Sequence, residues 1–237
     1  MLLKKQLDIV IPVYNESDII IDTLKSIQKN FEYEHNILIC YDLEKDNTLP
    51  KIKKSNLILK NIFFIKNIYN GAHGAVMSGI KNSKSEYVLV LPADDDYNTE
   101  NLENMYEKIK KYNLDILCPD RFINKNSIKS GPFFKFLLAK IVNYSLYYLT
   151  DVPTKDATNG FRFFSRRVLE TINIESKIGF TYSIEYLLKS IDKGYKIGRY
   201  PAIWIERKKG KSRFKILKWS LDYLRWYFYA FKLKLFK

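Results

Sequence analysis

Short apolar runs that alternate with amphipathic segments constrain this chain more than any other feature. Residues 7–13, 36–41, 62–65, 87–91 and 115–118 read as buried strands, while 17–29 (Ile20, Leu24 and Ile27 on one face), 75–80 and 101–112 carry helical periodicity. Strand and helix in turn predict a largely parallel sheet covered on both faces, with ligands gathering beyond the carboxyl ends of the strands. Farther on, 133–149 and 182–190 read as helices and 196–206 as a last strand, which Pro201 places at an edge or a bulge. With 237 residues, 46% of them hydrophobic, there is material for one sizeable core. No repeat or low-complexity linker divides the chain, so the expectation is one α/β domain with a C-terminal appendage.

The chemistry concentrates at the strand ends. Tyr87-Val88-Leu89-Val90-Leu91 is followed by Pro92-Ala93-Asp94-Asp95-Asp96, and clustered acids at a strand end offer a hard oxygen site for Mg2+ or Mn2+. Such a cation usually completes its shell with a polyphosphate, which points to nucleotide handling; a solvated acidic turn is the plain alternative. Ile11-Pro12-Val13-Tyr14-Asn15-Glu16 ends the first strand with a ring able to stack on a base and a carboxylate able to accept from base or ribose, and Asn15 or Ser17 could also cap the next helix. Asp42 to Thr48 repeats the idea after the second strand, with Asp42 as an acceptor. Asn70-Gly71-Ala72-His73-Gly74 is a Gly-rich turn before a helix, where backbone approaches a ligand closely and the helix start favours anions.

Lys and Arg number 40 against 26 Asp and Glu, a net charge of +14 that favours nucleic acid, an acidic membrane or phosphorylated substrates. Cys40 and Cys118 stand alone in apolar runs and form neither a disulfide framework nor a zinc set, so a reducing compartment is expected. The N-terminus lacks the charged-then-apolar order of a signal peptide, and no apolar run approaches the ~20 residues that span a bilayer.

Taken together, these segments in this order resemble the inverting family 2 glycosyltransferases of the GT-A fold, a Rossmann-like single domain. Asp120-Arg121-Phe122, Asp156-Ala157-Thr158-Asn159-Gly160-Phe161-Arg162 and Glu206-Arg207-Lys208-Lys209-Gly210-Lys211-Ser212-Arg213 are similar to the Ser-Arg-Tyr, Asp-x-Thr-Ser-Gly-Phe-Arg and Arg-x-x-Gly-x-Ser-Lys signatures of dolichyl-phosphate mannosyltransferases and their polyprenyl-phosphate relatives. The resemblance implies a nucleotide-sugar donor (GDP-mannose or a UDP-sugar) and a polyprenyl or dolichyl phosphate acceptor. It implies nucleotide contacts at Pro12, Tyr14, Asn15, Glu16, Asp42, Gly71 and Asp94, and metal ligands at Asp94 and Asp96. Arg121, Lys135, Arg207, Lys211 and Ser212 would form an acceptor-phosphate site, and Asp94, Asp96, Arg121 and Arg207 would carry catalysis. It leaves room for a membrane-anchored partner subunit. The chain departs from the family pattern: Pro92 replaces the first acid of Asp-Ala-Asp-Leu-Gln and Asp96 its Gln, Tyr41 replaces the first of an Asp-Asp pair, Lys135 stands for an Arg and Ala139 for a Ser.

The domain is expected over 1–213 and an amphipathic helix over 214–237. In that helix Phe214, Leu217, Leu221, Leu224, Phe228, Phe231 and Leu235 oppose Lys215, Lys218, Asp222, Arg225, Tyr229 and Lys232, with Trp219, Tyr223, Trp226 and Tyr227 widening the apolar side. This suits a helix lying in an anionic membrane interface, making the protein cytoplasmic and peripheral on the cytoplasmic face; a core or dimer helix is the alternative. Two rival functions stand beside the lipid-phosphate reading. One is a saccharide acceptor as in capsule or lipopolysaccharide assembly, for which Asp156 or Glu185 would be the general base. The other is a non-enzymatic basic protein binding membrane or nucleic acid, disfavoured because strand-end acids repel phosphates without a cation.

Overall fold

The computed structural model describes residues 5–125, 127, 133–205 and 216–236. Seven strands form one sheet: β1 (Leu7–Val13), β2 (His35–Tyr41), β3 (Ile62–Lys66), β4 (Tyr87–Val90), β5 (Ile116–Asp120), β6 (Arg162–Ser165) and β7 (Ile197–Pro201), in the order β3-β2-β1-β4-β6-β5-β7. All pairings are parallel except those of β6, which runs antiparallel to both β4 and β5. Because β6 reverses direction twice over, β5 and β7 point the same way as β1 to β4. The carboxyl ends of all six parallel strands therefore open on one edge, which fixes where the site is.

Period-2 alternation in β1 splits the core into two layers. Leu7, Ile9 and Ile11 face Ile20, Leu24 and Ile27 of α1 (Ile20–Asn30), Leu49 and Ile52 of α2 (Thr48–Lys53), and Leu102, Met105 and Ile109 of α4 (Leu102–Lys111). Val10 faces the other way with Leu38 and Val88, under α3 (Gly71–Asn82), α5 (Phe133–Leu149), α6 (Arg166–Thr171), α7 (Tyr182–Asp192) and α8 (Ile216–Leu235). A Cβ on Gly79 would sit 2.5 Å from Val10 Cγ1 and 2.7 Å from Cys40 Sγ, so the absence of a side chain is what lets α3 lie this close to the sheet.

Several local expectations shift. α1 begins at Ile20, later than the expected 17, and no side chain caps it, because the backbone of 15–17 is bound by another loop. The last strand stops at Pro201, and β7 forms an edge of the sheet. β6, α2 and α6 have no counterpart in the sequence reading; each is four to six residues, too short to display a period.

The C-terminal helix has two faces with different neighbours. Trp226 and Ala230 are buried in the second core layer, with Tyr223, Tyr227, Phe231 and Leu233 partly covered beside them. Ser145 of α5 bonds the Tyr227 hydroxyl at 2.9 Å, and Lys189 of α7 lies over the Trp226 ring at 5.3 Å. Leu221, Leu224, Phe228 and Leu235 remain exposed, as do Leu137, Leu138, Ile141, Tyr148 and Leu149 on α5. The core-helix reading thus holds for one face of α8, and the other face carries exposed apolar side chains. Among the described residues no helix is long and apolar enough to cross a membrane.

Candidate active site

The loops after β1 and β2 are sewn together by their own polar groups. The Asn15 N–H donates to both oxygens of the buried Asp46 (3.1 and 3.0 Å), the Glu16 N–H to Thr48 Oγ1 (2.9 Å) and the Ser17 N–H to Asn47 Oδ1 (3.3 Å). The Asn47 N–H answers with a bond to Asn15 Oδ1 (3.2 Å). Asn15 sits at φ +55°, in the left-handed region that Asn tolerates better than most residues, so the chain leaves β1 in a sharp turn. Asp46 and Thr48 act as braces here, and Tyr14 is left 40% exposed at the strand end.

Asp42 is fixed from two sides. Asn67 Nδ2 donates to its Oδ1, and the Gly71 N–H donates to its Oδ2 at 2.9 Å. Asn70 (φ +67°) and Gly71 (φ +73°) make the left-handed entry to α3 on which that second bond depends. His73, two residues on, is buried edge-on to Tyr182 with ring centroids 5.9 Å apart, and its Nδ1 has no hydrogen-bond partner. Burial holds its pKa down to about 4 against the pull of Glu185 and Asp222, so it is neutral in the fold.

The three acids divide their labour. Asp95 is buried and accepts from the Asn98 N–H (3.2 Å) and Asn98 Nδ2 (2.8 and 3.0 Å). Burial raises its pKa to about 7 in spite of those bonds. Asn98 in turn exchanges two 2.9 Å bonds with the backbone of Ile203, and the Tyr97 hydroxyl donates to Ile205 O at 3.3 Å. Asp95 therefore anchors the acid loop to the segment after β7. Asp94 is half-buried and Asp96 exposed on either side of it. Among the described residues no three His, Cys, Asp or Glu side chains converge into a complete metal site. Two carboxylates flanking an inward-turned third fit a cation that takes the rest of its shell from phosphate and water, as Mg2+ commonly does.

At the end of β5, Arg121 is locked to Asp156: Nε donates to Oδ2 at 2.6 Å, Nη2 to Oδ1 at 2.7 Å and the backbone N–H to Oδ2 at 3.0 Å. Burial opposes the guanidinium's charge, but the adjacent carboxylate outweighs it and raises the pKa. The fully buried Arg162 holds the same turn from beneath, donating to the carbonyls of Asp156 (3.0 Å) and Ala157 (3.2 Å). Glu185, the other candidate base, is buried and takes four donors: the N–H groups of Glu175 and Ser176, Ser176 Oγ and Lys189 Nζ, all within 2.8 Å. Lys135 lies on α5 with its side chain outside the description, and Arg207, Lys211 and Ser212 lie outside the described residues.

Pro12, Tyr14, Asn15, Glu16, Asp42, Gly71, Asp94, Asp96 and Arg121 thus all lie at or just beyond the carboxyl ends of β1 to β5, along one edge. Asn67 and Asn98 were missed in the sequence. Asn67 had a legible signal, since it follows β3 as Asp42 follows β2. The link from Asn98 to Ile203 had none.

The glycosyl transferase family 2 profile matches residues 8–172, and the chain belongs to that family. It is 26% identical over 215 residues to an uncharacterized protein of Methanocaldococcus jannaschii, covering 89% of this chain and 86% of that one. To the dolichyl-phosphate beta-glucosyltransferase of Dictyostelium discoideum it is 28% identical over 210 residues, covering 78% of this chain; it spans only 63% of that enzyme's length. Glucosyl-3-phosphoglycerate synthase from Mycobacterium tuberculosis, crystallised with Mn2+, uridine diphosphate and phosphoglyceric acid, superposes with a TM-score of 0.65 at 12% identity over 87% of this chain and 72% of its own. The fold is GT-A, and the protein is a glycosyltransferase.

Proposed function

We propose that this family 2 glycosyltransferase moves a sugar, with inversion, from a nucleotide-sugar to a polyprenyl or dolichyl phosphate at the cytoplasmic face of a membrane. The observation that carries the acceptor assignment is the state of the two candidate bases. Asp156 is consumed by Arg121 and Glu185 is saturated by four donors, so neither is available to deprotonate a sugar hydroxyl. A phosphate acceptor is already an anion and requires no base. The relative that uses dolichyl phosphate supports the same choice.

Two touching helices support the membrane location. The exposed apolar residues of α5 and α8 sit on helices joined through Ser145 and Tyr227. Tyr223 of α8, partly covered, lies within electrostatic reach of Arg121, so the helix that would meet lipid also borders the proposed acceptor side.

In this reading Asp42 and Glu16 accept from donor groups of the nucleoside while Tyr14 offers a ring face to the base. Asp94 and Asp96 would hold a divalent cation, which when bound supplies positive charge against that developing on the departing nucleoside diphosphate. Arg121, Lys135, Arg207, Lys211 and Ser212 hold the acceptor phosphate. One of its oxygens forms a bond to the anomeric carbon from the face opposite the leaving group. The bond from that carbon to the diphosphate breaks, the electron pair leaves with the diphosphate, and no proton moves. Catalysis is positioning and charge compensation. The test is transfer from UDP-glucose and GDP-mannose, with Mn2+ or Mg2+, to polyprenyl phosphate or to free saccharides: transfer to the lipid phosphate is expected, and transfer to saccharides alone would sink the reading.

A further inference from the structure

We infer that Asn67 is the positioning residue that sets nucleotide affinity by holding the Asp42 carboxylate in one orientation; this rests on the proposal that Asp42 meets the nucleoside. The case is one of complete accounting. A side-chain amide has two N–H donors and two acceptor positions. Asn67 uses all four: Nδ2 donates to Asp42 Oδ1 and to Gly71 O (3.0 Å), while Oδ1 accepts from the Tyr69 N–H (2.9 Å) and Ser78 Oγ (3.1 Å). Its own N–H donates to Tyr41 O at 2.8 Å, so the residue is pinned to the end of β2 through its backbone as well. Ser78 is itself oriented, since its hydroxyl accepts from the Ile68 N–H at 3.1 Å.

The same amide holds the turn that supplies Asp42's second bond. Gly71 O accepts from Asn67 and the Gly71 N–H donates to Asp42, so the left-handed Asn70-Gly71 pair is clamped on both faces of one residue. There is no slack behind it: a Cβ on Gly74 would stand 2.9 Å from Asn67 Oδ1 and 2.8 Å from Tyr69 Cβ. Each Asp42 oxygen therefore spends one lone pair on the protein in a fixed direction. The second lone pair of each, on a half-buried carboxylate at the strand-end edge, is directed by default. An oriented acceptor binds N–H and O–H donors without first losing rotamer freedom, and that is the contribution Asn67 makes.

The experiment is a double-mutant cycle read as affinity for UDP and for GDP in the presence of Mn2+, by calorimetry on the full chain. Asp42→Ala and Asn67→Ala are each expected to weaken the better-bound nucleotide about tenfold, and the double variant no more than about twofold beyond Asp42→Ala, because residues acting through one another are non-additive. Additive losses would make Asn67 a merely structural residue and overturn the inference. Normal binding by Asn67→Ala beside weak binding by Asp42→Ala would overturn it while leaving the Asp42 reading intact. Normal binding by Asp42→Ala would remove that reading and the inference together. Should Asn67→Ala not fold, Asn67→Ser replaces it: the short hydroxyl cannot span to Asp42 and Gly71 together and adds no charge beside Asp42, so the same cycle applies.

Discussion

The two ends of the strand edge are built differently. On the donor side, around β1 to β4, polar side chains that follow one strand bind the backbone of the loop after its neighbour: Asp46 and Thr48 hold 15 and 16, and Asp42 holds Gly71. Every partner is a nearest neighbour in a parallel sheet. Beyond them the ties differ: Arg121 to Asp156 joins the loops at the ends of the neighbouring β5 and β6, while Asn98 to Ile203 and Tyr97 to Ile205 tie the acid loop to residues 105 and 108 positions farther along the chain. The end of the edge proposed to meet the nucleotide is held by stitches between neighbouring strands, whereas the acid loop is anchored only once the segment after β7 has docked on it.

That contrast is open to breakage, beginning where the effect is greatest. Asp94→Asn removes a hard ligand and leaves the acid loop anchored by Asp95. Turnover should fall on the order of a thousandfold, the equivalent of several kcal/mol, with little change in melting temperature. Substantial activity in excess chelator would contradict it. Asp156→Asn removes the carboxylate paired with Arg121, and stranding that partly exposed guanidinium costs about 2 kcal/mol. Urea unfolding should show this loss while UDP affinity stays near wild type; equal loss of both would mean that the two ends are not separable.

His73 lies on the seam, at the start of α3 on the donor side but facing Tyr182 of α7 and within reach of Asp222 on α8. Its pKa is depressed from 6.5 to about 4 by burial, so the unfolded chain takes up the proton first as pH falls. Stability from this group is present above pH 6.5 and is lost as pH drops toward 4, by about 2 kcal/mol at pH 5. From pH 7 to pH 5 the change in unfolding free energy should differ by about 2 kcal/mol between the wild type and His73→Phe, a comparison in which the opposite contribution of the raised Asp95 carboxyl cancels. The smallest expected effect concerns α8. Since Trp226 and Ala230 belong to the core, removing the helix would damage the fold, and the sharper change is Leu224→Ser with Phe228→Ser on the exposed face. Co-sedimentation with anionic vesicles should drop several-fold at unchanged stability; equal partitioning would exclude lipid from that face.

What was legible in the sequence follows the same division. The strands β1 to β5 and their strand-end polar groups could be read because short apolar runs and the residues after them are contiguous. β6 could not: Arg162-Phe163-Phe164-Ser165 is four residues long, and its place between β4 and β5 is set by pairing with Val88 and Leu89 far upstream. The role of Asp95 was equally hidden, because its partner Asn98 is explained only by Ile203. The amphipathic period of α8 was plain, but periodicity does not say which face meets protein; Trp226 went inward and Phe228 outward.

The reversed β6 also dictates an order of assembly. As the chain emerges from a ribosome, β3-β2-β1-β4 is complete once Val90 has been made, and β5 follows with no neighbour to join. The open flank of β4 must wait until Phe163 and Phe164 appear, a delay of seconds at ordinary rates of synthesis. During that wait an unpaired strand edge is presented to other nascent chains. Damage to those two phenylalanines should therefore yield an intact amino-terminal half with an unclosed flank, and aggregation would start from β4.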